Sequence, residues 1–130
     1  MRKKLFTTIF ILLTVSTLSF CIAGCSNSSS KFTGSKTANE NQFLADFDVL
    51  NSTIDAALKL KAGESMDTTI DIKKGKVNIL VKNEKGTVAY KGDGVDSGSF
   101  SIGITEDGSY TFSITGSKAK GSVHFVKAGK

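Results

Sequence analysis

The 130-residue chain predicts an all-β fold: a single antiparallel β-sandwich, jelly-roll or Ig-like, of seven or eight strands, preceded by an apolar N-terminal segment and a polar linker. Three observations carry this. From Phe43 onward, apolar and polar residues alternate with a period of two, which gives each strand one buried and one wet face. Turn signals rich in Gly, Asn and Asp recur roughly every 8–12 residues. Strands of that length and spacing, packed into residues 43–127, suit a sandwich or a small barrel.

The chain opens on Met1-Arg2-Lys3-Lys4, a short basic start, and continues uncharged from Leu5 to Ala23. Basic residues stay on the cytoplasmic side while an uncharged run enters the bilayer, so residues 1–24 read as a secretion signal. The run approaches the ~20 residues of a spanning helix, which makes an uncleaved anchor the rival reading. Against it, the run is rich in Thr and Ser and stops at small residues rather than at a basic flank. Ile22-Ala23-Gly24-Cys25 resembles the lipobox of bacterial lipoproteins: an aliphatic residue, two small residues, then Cys. The resemblance implies cleavage between Gly24 and Cys25 and lipid on the Cys25 thiol. The partner implied is the cell membrane, with the domain facing outside the cytoplasm. The other cysteine, Cys21, leaves with the signal, so no disulfide, metal or catalytic Cys would remain.

Arg2, Lys3 and Lys4 make up three of the 17 basic residues; their loss leaves 14 against 12 acids, a net charge of about +2. That balance gives no reason to expect a nucleic-acid partner. Residues 25–42 are small, polar and without period, which predicts a flexible linker carrying the lipidated Cys25. Phe32, alone in it, suits either a first strand or a contact with the lipid interface.

The β-sandwich domain is expected over 43–127. Residues 43–50 fit both periods. Phe43, Ala45, Phe47 and Val49 alternate like a strand, whereas Phe43, Leu44, Phe47 and Leu50 make a helical stripe. Strand is favoured because strands follow. Ile54, Ala56, Leu58 and Leu60 form the next, ending at Ala62-Gly63-Glu64. Met66, Thr68, Ile70 and Ile72 form another, closed by Lys73-Lys74-Gly75, after which Val77, Ile79 and Val81 begin a new one. Asn83-Glu84-Lys85-Gly86 reads as a hairpin loop leading to Val88 and Tyr90. Gly92 to Gly98 is a long polar turn before Phe100, Ile102 and Ile104. Glu106-Asp107-Gly108 reads as a tight hairpin into Tyr110, Phe112 and Ile114. Gly116-Ser117-Lys118-Ala119 turns once more before Val123 and Phe125. The expected core is Phe47, Ile54, Leu58, Leu60, Ile70, Ile72, Val77, Ile79, Val81, Val88, Tyr90, Phe100, Ile102, Ile104, Tyr110, Phe112, Ile114, Val123 and Phe125.

The stretch from Gly98-Ser99-Phe100 through Asp107-Gly108-Ser109-Tyr110-Thr111-Phe112 to Gly121-Ser122-Val123 resembles small β-sandwich domains of Gram-positive lipoproteins of unknown function. It implies the fold and no activity. His124, the single His, lies between Val123 and Phe125 and so points outward; alone it has no partners for a zinc site. Ser, His and Asp are all present, but no nucleophile elbow is. Asp93, Asp96, Glu106 and Asp107 have the chemistry to bind calcium. Their spacing lacks an EF-hand's alternating ligands, and Asp and Gly are what turns need. These four are retained as candidate partner-binding loop residues. No catalytic residue, cofactor or metal is assigned. The expected function is a non-catalytic binding or envelope-structural lipoprotein that meets another envelope or secreted protein. An inhibitor or immunity-type lipoprotein is the alternative, and a solute-binding or hydrolytic protein is the weaker third.

Overall fold

A computed structural model describes residues 30–129, and every regular element in them is a strand. The strands are β1 (Lys31–Asn39), β2 (Gln42–Asn51), β3 (Thr53–Leu60), β4 (Ser65–Asn83), β5 (Val88–Gly92), β6 (Gly98–Gly103) and β7 (Gly108–Lys127). All pair antiparallel in one seven-stranded sheet, ordered β1-β2-β7-β4-β5, with β3 also on β7 and β6 also on β4. The signal segment 1–24, Cys25 and the linker up to Ser29 lie outside the described residues.

The two longest strands explain how one sheet becomes two layers. β4 and β7 pair along their whole length, from Met66↔Lys127 to Asn83↔Tyr110. Midway the register shifts twice, between Ile72 and Lys74 and between Lys74 and Lys76, and the pair bends there. Each half then takes its own neighbours. The first leaf is β1, β2, the C-terminal half of β7, the N-terminal half of β4, and β6. The second is β3, the N-terminal half of β7, the C-terminal half of β4, and β5. Gly75 sits at the bend with φ 75°, where a Cβ would run into the Lys118 and Ser117 carbonyl oxygens. Only glycine fits that combination of left-handed backbone and close approach.

The leaves close on an apolar interior. Phe112 from the second leaf and Phe125 from the first lie 4.9 Å apart at 59°, and Phe43 stacks on Phe125 at 6.0 Å. All three rings are fully buried. Truncating such a ring costs about 3–5 kcal/mol, so this trio is the main tie between the leaves. On the far side Tyr90 of β5 meets Phe100 of β6 at 4.9 Å, half-buried. No buried side-chain nitrogen or oxygen among the described residues lacks a partner.

Several expectations are corrected. The linker expected over 25–42 gives way at Lys31, where β1 begins and pairs with β2 from Lys31↔Asn51 to Asn39↔Gln42. β1 is an edge strand held by backbone pairing. It needs no apolar face, and Phe32 alone packs against the core. Its turn into β2 is fixed by the Asn39 side chain, whose Oδ1 accepts the N–H groups of Asn41 (2.8 Å) and Gln42 (3.1 Å). Lys73-Lys74-Gly75 and Gly116 to Ala119 are bends within continuous strands rather than turns between strands. Glu106-Asp107-Gly108 is no hairpin: β6 pairs with β4 and not with β7, so the chain there crosses from one leaf to the other. Val88 is 52% exposed rather than core, because it sits beyond a register shift in the short edge strand β5. Residues 43–50 are strand, as favoured; Leu50 reaches the core through a register shift after Phe47, which is why a helical stripe fitted as well.

Candidate functional site

Because β4 and β7 fold back on themselves, the sandwich has two unlike ends. The turn Glu40–Asn41, the crossovers 61–64 and 104–107 and the hairpin 84–87 lie at the open end, where β4 begins and finishes. The bends of β4 and β7, the loop 93–97 and the start of β1 lie at the bend end. The four acidic residues singled out from the sequence are divided between them: Glu106 and Asp107 at the open end, Asp93 and Asp96 at the bend end. They do not converge.

At the open end Glu64, Glu84, Glu106 and Asp107 accept hydrogen bonds from turn backbone or from neighbouring side chains. Asp107 Oδ1 accepts the Ala62 N–H at 2.8 Å, tying the two crossovers together, and the Gly63 N–H donates to the Ile104 carbonyl beside it. Glu106 accepts from Asn83 Nδ2 (3.3 Å) and from the Thr87 hydroxyl (3.4 Å), while its own carbonyl accepts the Tyr110 hydroxyl at 2.7 Å. Buried Asn83 in turn uses Oδ1 to accept the N–H groups of Lys85 and Thr87, which sets the 84–87 hairpin. Glu64 Oε1 accepts the Lys61 N–H at 2.7 Å. Glu84 accepts the Ser109 N–H at 2.6 Å, and that backbone hydrogen bond holds its carboxyl below the usual 4.5. Turn-forming chemistry accounts for Glu106 and Asp107.

The bend end is different. Its loop is anchored by backbone and neutral groups: Gly94 N–H to Asn78 Oδ1 (2.7 Å), Val95 N–H to the Val77 carbonyl (2.9 Å), and Ile72 N–H to Ser97 Oγ (2.9 Å). Asp93 and Asp96 are left exposed. The sequence reading passed over a feature of the same end. Lys73, Lys74 and Lys76 stand around the β4 bend and Lys118 and Lys120 on the facing bend of β7, all exposed. The signal was there in the charge run flanking Gly75, but it reads as a solvated turn until the two bends are brought together.

His124 lies on the outer surface of the first leaf, and its Nε2 meets Asp46 Oδ1 at 3.1 Å. Ser122, two residues before it on β7, faces Asp46 across the β2 register. The three lie on an open sheet face, and no hydrogen bond joins Ser122 to His124, so they lack a triad's nucleophile–base contact. No group of three or more His, Cys, Asp or Glu able to hold a metal occurs among the described residues. Nor is any helix there long and apolar enough to cross a membrane.

No protein-family model and no curated protein matches the sequence. Solved structures of similar shape include PliG of Aeromonas hydrophila, a periplasmic inhibitor of g-type lysozyme. It is 18% identical, with 75% of this chain and 92% of that one covered and a TM-score of 0.47. A low-affinity xylan-binding module, CBM86, of Roseburia intestinalis is 13% identical over 75% of this chain and 86% of that one, TM-score 0.41. A CBM4 structure is 11% identical over 79% and 77%, TM-score 0.40. At these scores the likeness is to the general course of a small β-protein and does not reach what those proteins bind.

Proposed function

We propose that the chain is a bacterial lipoprotein. Its signal 1–24 is removed, Cys25 carries lipid, and the sandwich faces outside the cytoplasm at the cell membrane as a non-catalytic binding or envelope-structural module. The observation that carries this is the joint occurrence of a basic start, an uncharged run and Ile22-Ala23-Gly24-Cys25. The fold adds support. β1 starts at Lys31, six residues after Cys25, so at ~3.3–3.6 Å per residue the domain begins no more than roughly 20 Å from the lipid. Lipid chains anchor by about 0.8 kcal/mol per buried CH₂, and two or more hold a protein stably. The non-catalytic part rests on the engagement of Glu106 and Asp107 in turns and on the open setting of His124.

The inhibitor or immunity reading needs one concentrated contact patch, and a large exposed apolar area would favour it. Among the described residues the exposed large hydrophobics are Val88 and Val126, which sit on different leaves and make no such patch.

Mass spectrometry of the N-terminal peptide from isolated membranes tests the proposal, beside a Cys25→Ala variant. Acylated Cys25 at the N-terminus, with the variant left unprocessed, is the expected result. A Met1 N-terminus with an unmodified Cys25 thiol would make residues 1–24 a signal anchor and sink the lipoprotein reading.

A further inference from the structure

The bend end brings together charges that the sequence scatters. Lys73, Lys74 and Lys76 come from β4, Lys118 and Lys120 from β7, and Lys31 from the first position of β1. The grouping is built by the backbone. In a regular strand Lys73 and Lys74 would face opposite ways; two register shifts within three residues leave Lys73, Lys74 and Lys76 all exposed. Across from them Lys74 pairs with Lys120. Lys118 holds a left-handed backbone (φ 48°), uncommon for a residue with a Cβ. The conformation is pinned by its N–H, which donates to Asn51 Oδ1 at 3.0 Å. Among the described ion pairs only one involves this cluster, Lys73 with Asp71 at 3.3 Å, both well exposed. Asp46, Asp48 and Asp71 line the hollow beside Lys73 and Lys120, and Asp93 and Asp96 stand on the adjoining loop, so six lysines face five acids. At the open end five acids, Glu40, Glu64, Glu84, Glu106 and Asp107, face four lysines, Lys59, Lys61, Lys85 and Lys127.

We propose that the bend end is a docking surface for an anionic phospholipid bilayer, so that the domain rests lysine end down on the membrane. The inference deepens the lipoprotein reading and rests on it. Two observations select a lipid surface over other anions. The chain leading to Cys25 enters at this same end, since Lys31 pairs with Asn51 and its carbonyl accepts the Ser52 hydroxyl at 3.3 Å. Attraction between lysines and a charged leaflet also fades within a screening length of about 10 Å at 0.1 M salt, so it acts only on a surface kept close. The span of at most roughly 20 Å between Cys25 and Lys31 keeps it close. The opposite, acid-tied end is then directed outward.

The test uses the full chain, purified from membranes and reconstituted into phosphatidylcholine vesicles with or without about 30% phosphatidylglycerol. Lysines are acetylated with a water-soluble reagent and each is quantified by mass spectrometry. Lys74, Lys76, Lys118 and Lys120 should label about threefold more slowly on the anionic vesicles at low salt. The difference should vanish near 0.5 M salt, where screening is complete within a few Å, while Lys61 and Lys85 label equally throughout. A Lys74→Gln/Lys76→Gln/Lys120→Gln variant should lose the protection of Lys118, with unchanged Lys61 and Lys85 labelling as the sign that it is folded. Equal labelling on both vesicle types overturns the proposal. So does protection by soluble polyglycerol phosphate that anionic lipid fails to give, which would assign the surface to a wall polymer. The N-terminal peptide in the same digest separates the two readings. Acylated Cys25 with unprotected lysines removes the docking surface alone, whereas unmodified Cys25 with protected lysines removes the anchor alone.

Discussion

At the open end four acids, Glu64, Glu84, Glu106 and Asp107, accept hydrogen bonds from neighbouring backbone or side-chain groups. At the bend end the side chains of six lysines and of Asp93 and Asp96 stand clear of the backbone, and glycine, asparagine and serine hold the loop instead. Both ends draw on the same turn-forming residues. The open end has to stitch together two separate crossovers and a hairpin, and there charged side chains share that task with Asn39 and Asn83. The bend end consists of two continuous strands folding side by side, which backbone geometry shapes without them, so its charges are spare. Charge at a β-sandwich end is therefore no guide to function until one asks whether the backbone is using it.

Substitutions can break or sharpen this contrast. The largest effect is expected at the bend itself. Gly75→Ala must accommodate a Cβ against the Lys118 and Ser117 carbonyls at φ 75° and should cost about 3 kcal/mol, enough to threaten folding. Gly86→Ala, at φ 91° in open space, should cost only about 1 kcal/mol. Urea midpoints would rank the two, and equal losses would mean that backbone approach does not define the bend. Next comes Asn83→Ala at the open end, which strips two N–H groups and Glu106 of a buried partner; a loss of about 2 kcal/mol is expected in the same assay. Asp107→Ala should cost about 1 kcal/mol through the orphaned Ala62 N–H. Its bend-end counterpart Asp93→Ala/Asp96→Ala should stay within about 0.5 kcal/mol. A double variant as damaging as Asp107→Ala would erase the distinction between the ends.

The smallest effect concerns pH. The Ser109 N–H lowers the Glu84 carboxyl, so its contribution is present above the ordinary value of 4.5 and is lost as pH falls through the lower folded value. Melting temperatures of Glu84→Gln should therefore decline less steeply than those of the parent on acidification below about pH 4.5. Parallel curves would show that the hydrogen bond does not favour the charged form.

Much of the fold was legible because burial on one face imposes a period of two, and β2, β3, β5 and β6 lie where that period ran. What escaped depended on distant partners. A bulge in a continuous strand and a turn between strands use the same Lys, Gly and Ser, so Lys73-Lys74-Gly75 could not announce that β4 carries on. Glu106-Asp107-Gly108 has hairpin chemistry, and only the preference of β6 for β4 makes it a crossover. β1 surfaced only as one of two readings of Phe32, within a stretch expected to be linker, because an edge strand with a single inward side chain obeys no burial pattern. The lysine grouping was hidden likewise: residues 73–76 and 118–120 become neighbours only when β4 meets β7.

The sharing of β4 and β7 between both leaves leaves the sandwich without a seam. Two independent sheets can slide or part while each stays intact, but here separating the leaves means straightening two strands that both leaves need for their hydrogen bonds. Opening is thereby forced toward all or none. Amides in the β4–β7 ladder should exchange with solvent only through global unfolding. Those of β1, which pairs with β2 alone, should exchange first, by peeling from the end that leads to Cys25. The segment that would join the domain to its membrane is thus also the one that can loosen without disturbing the rest.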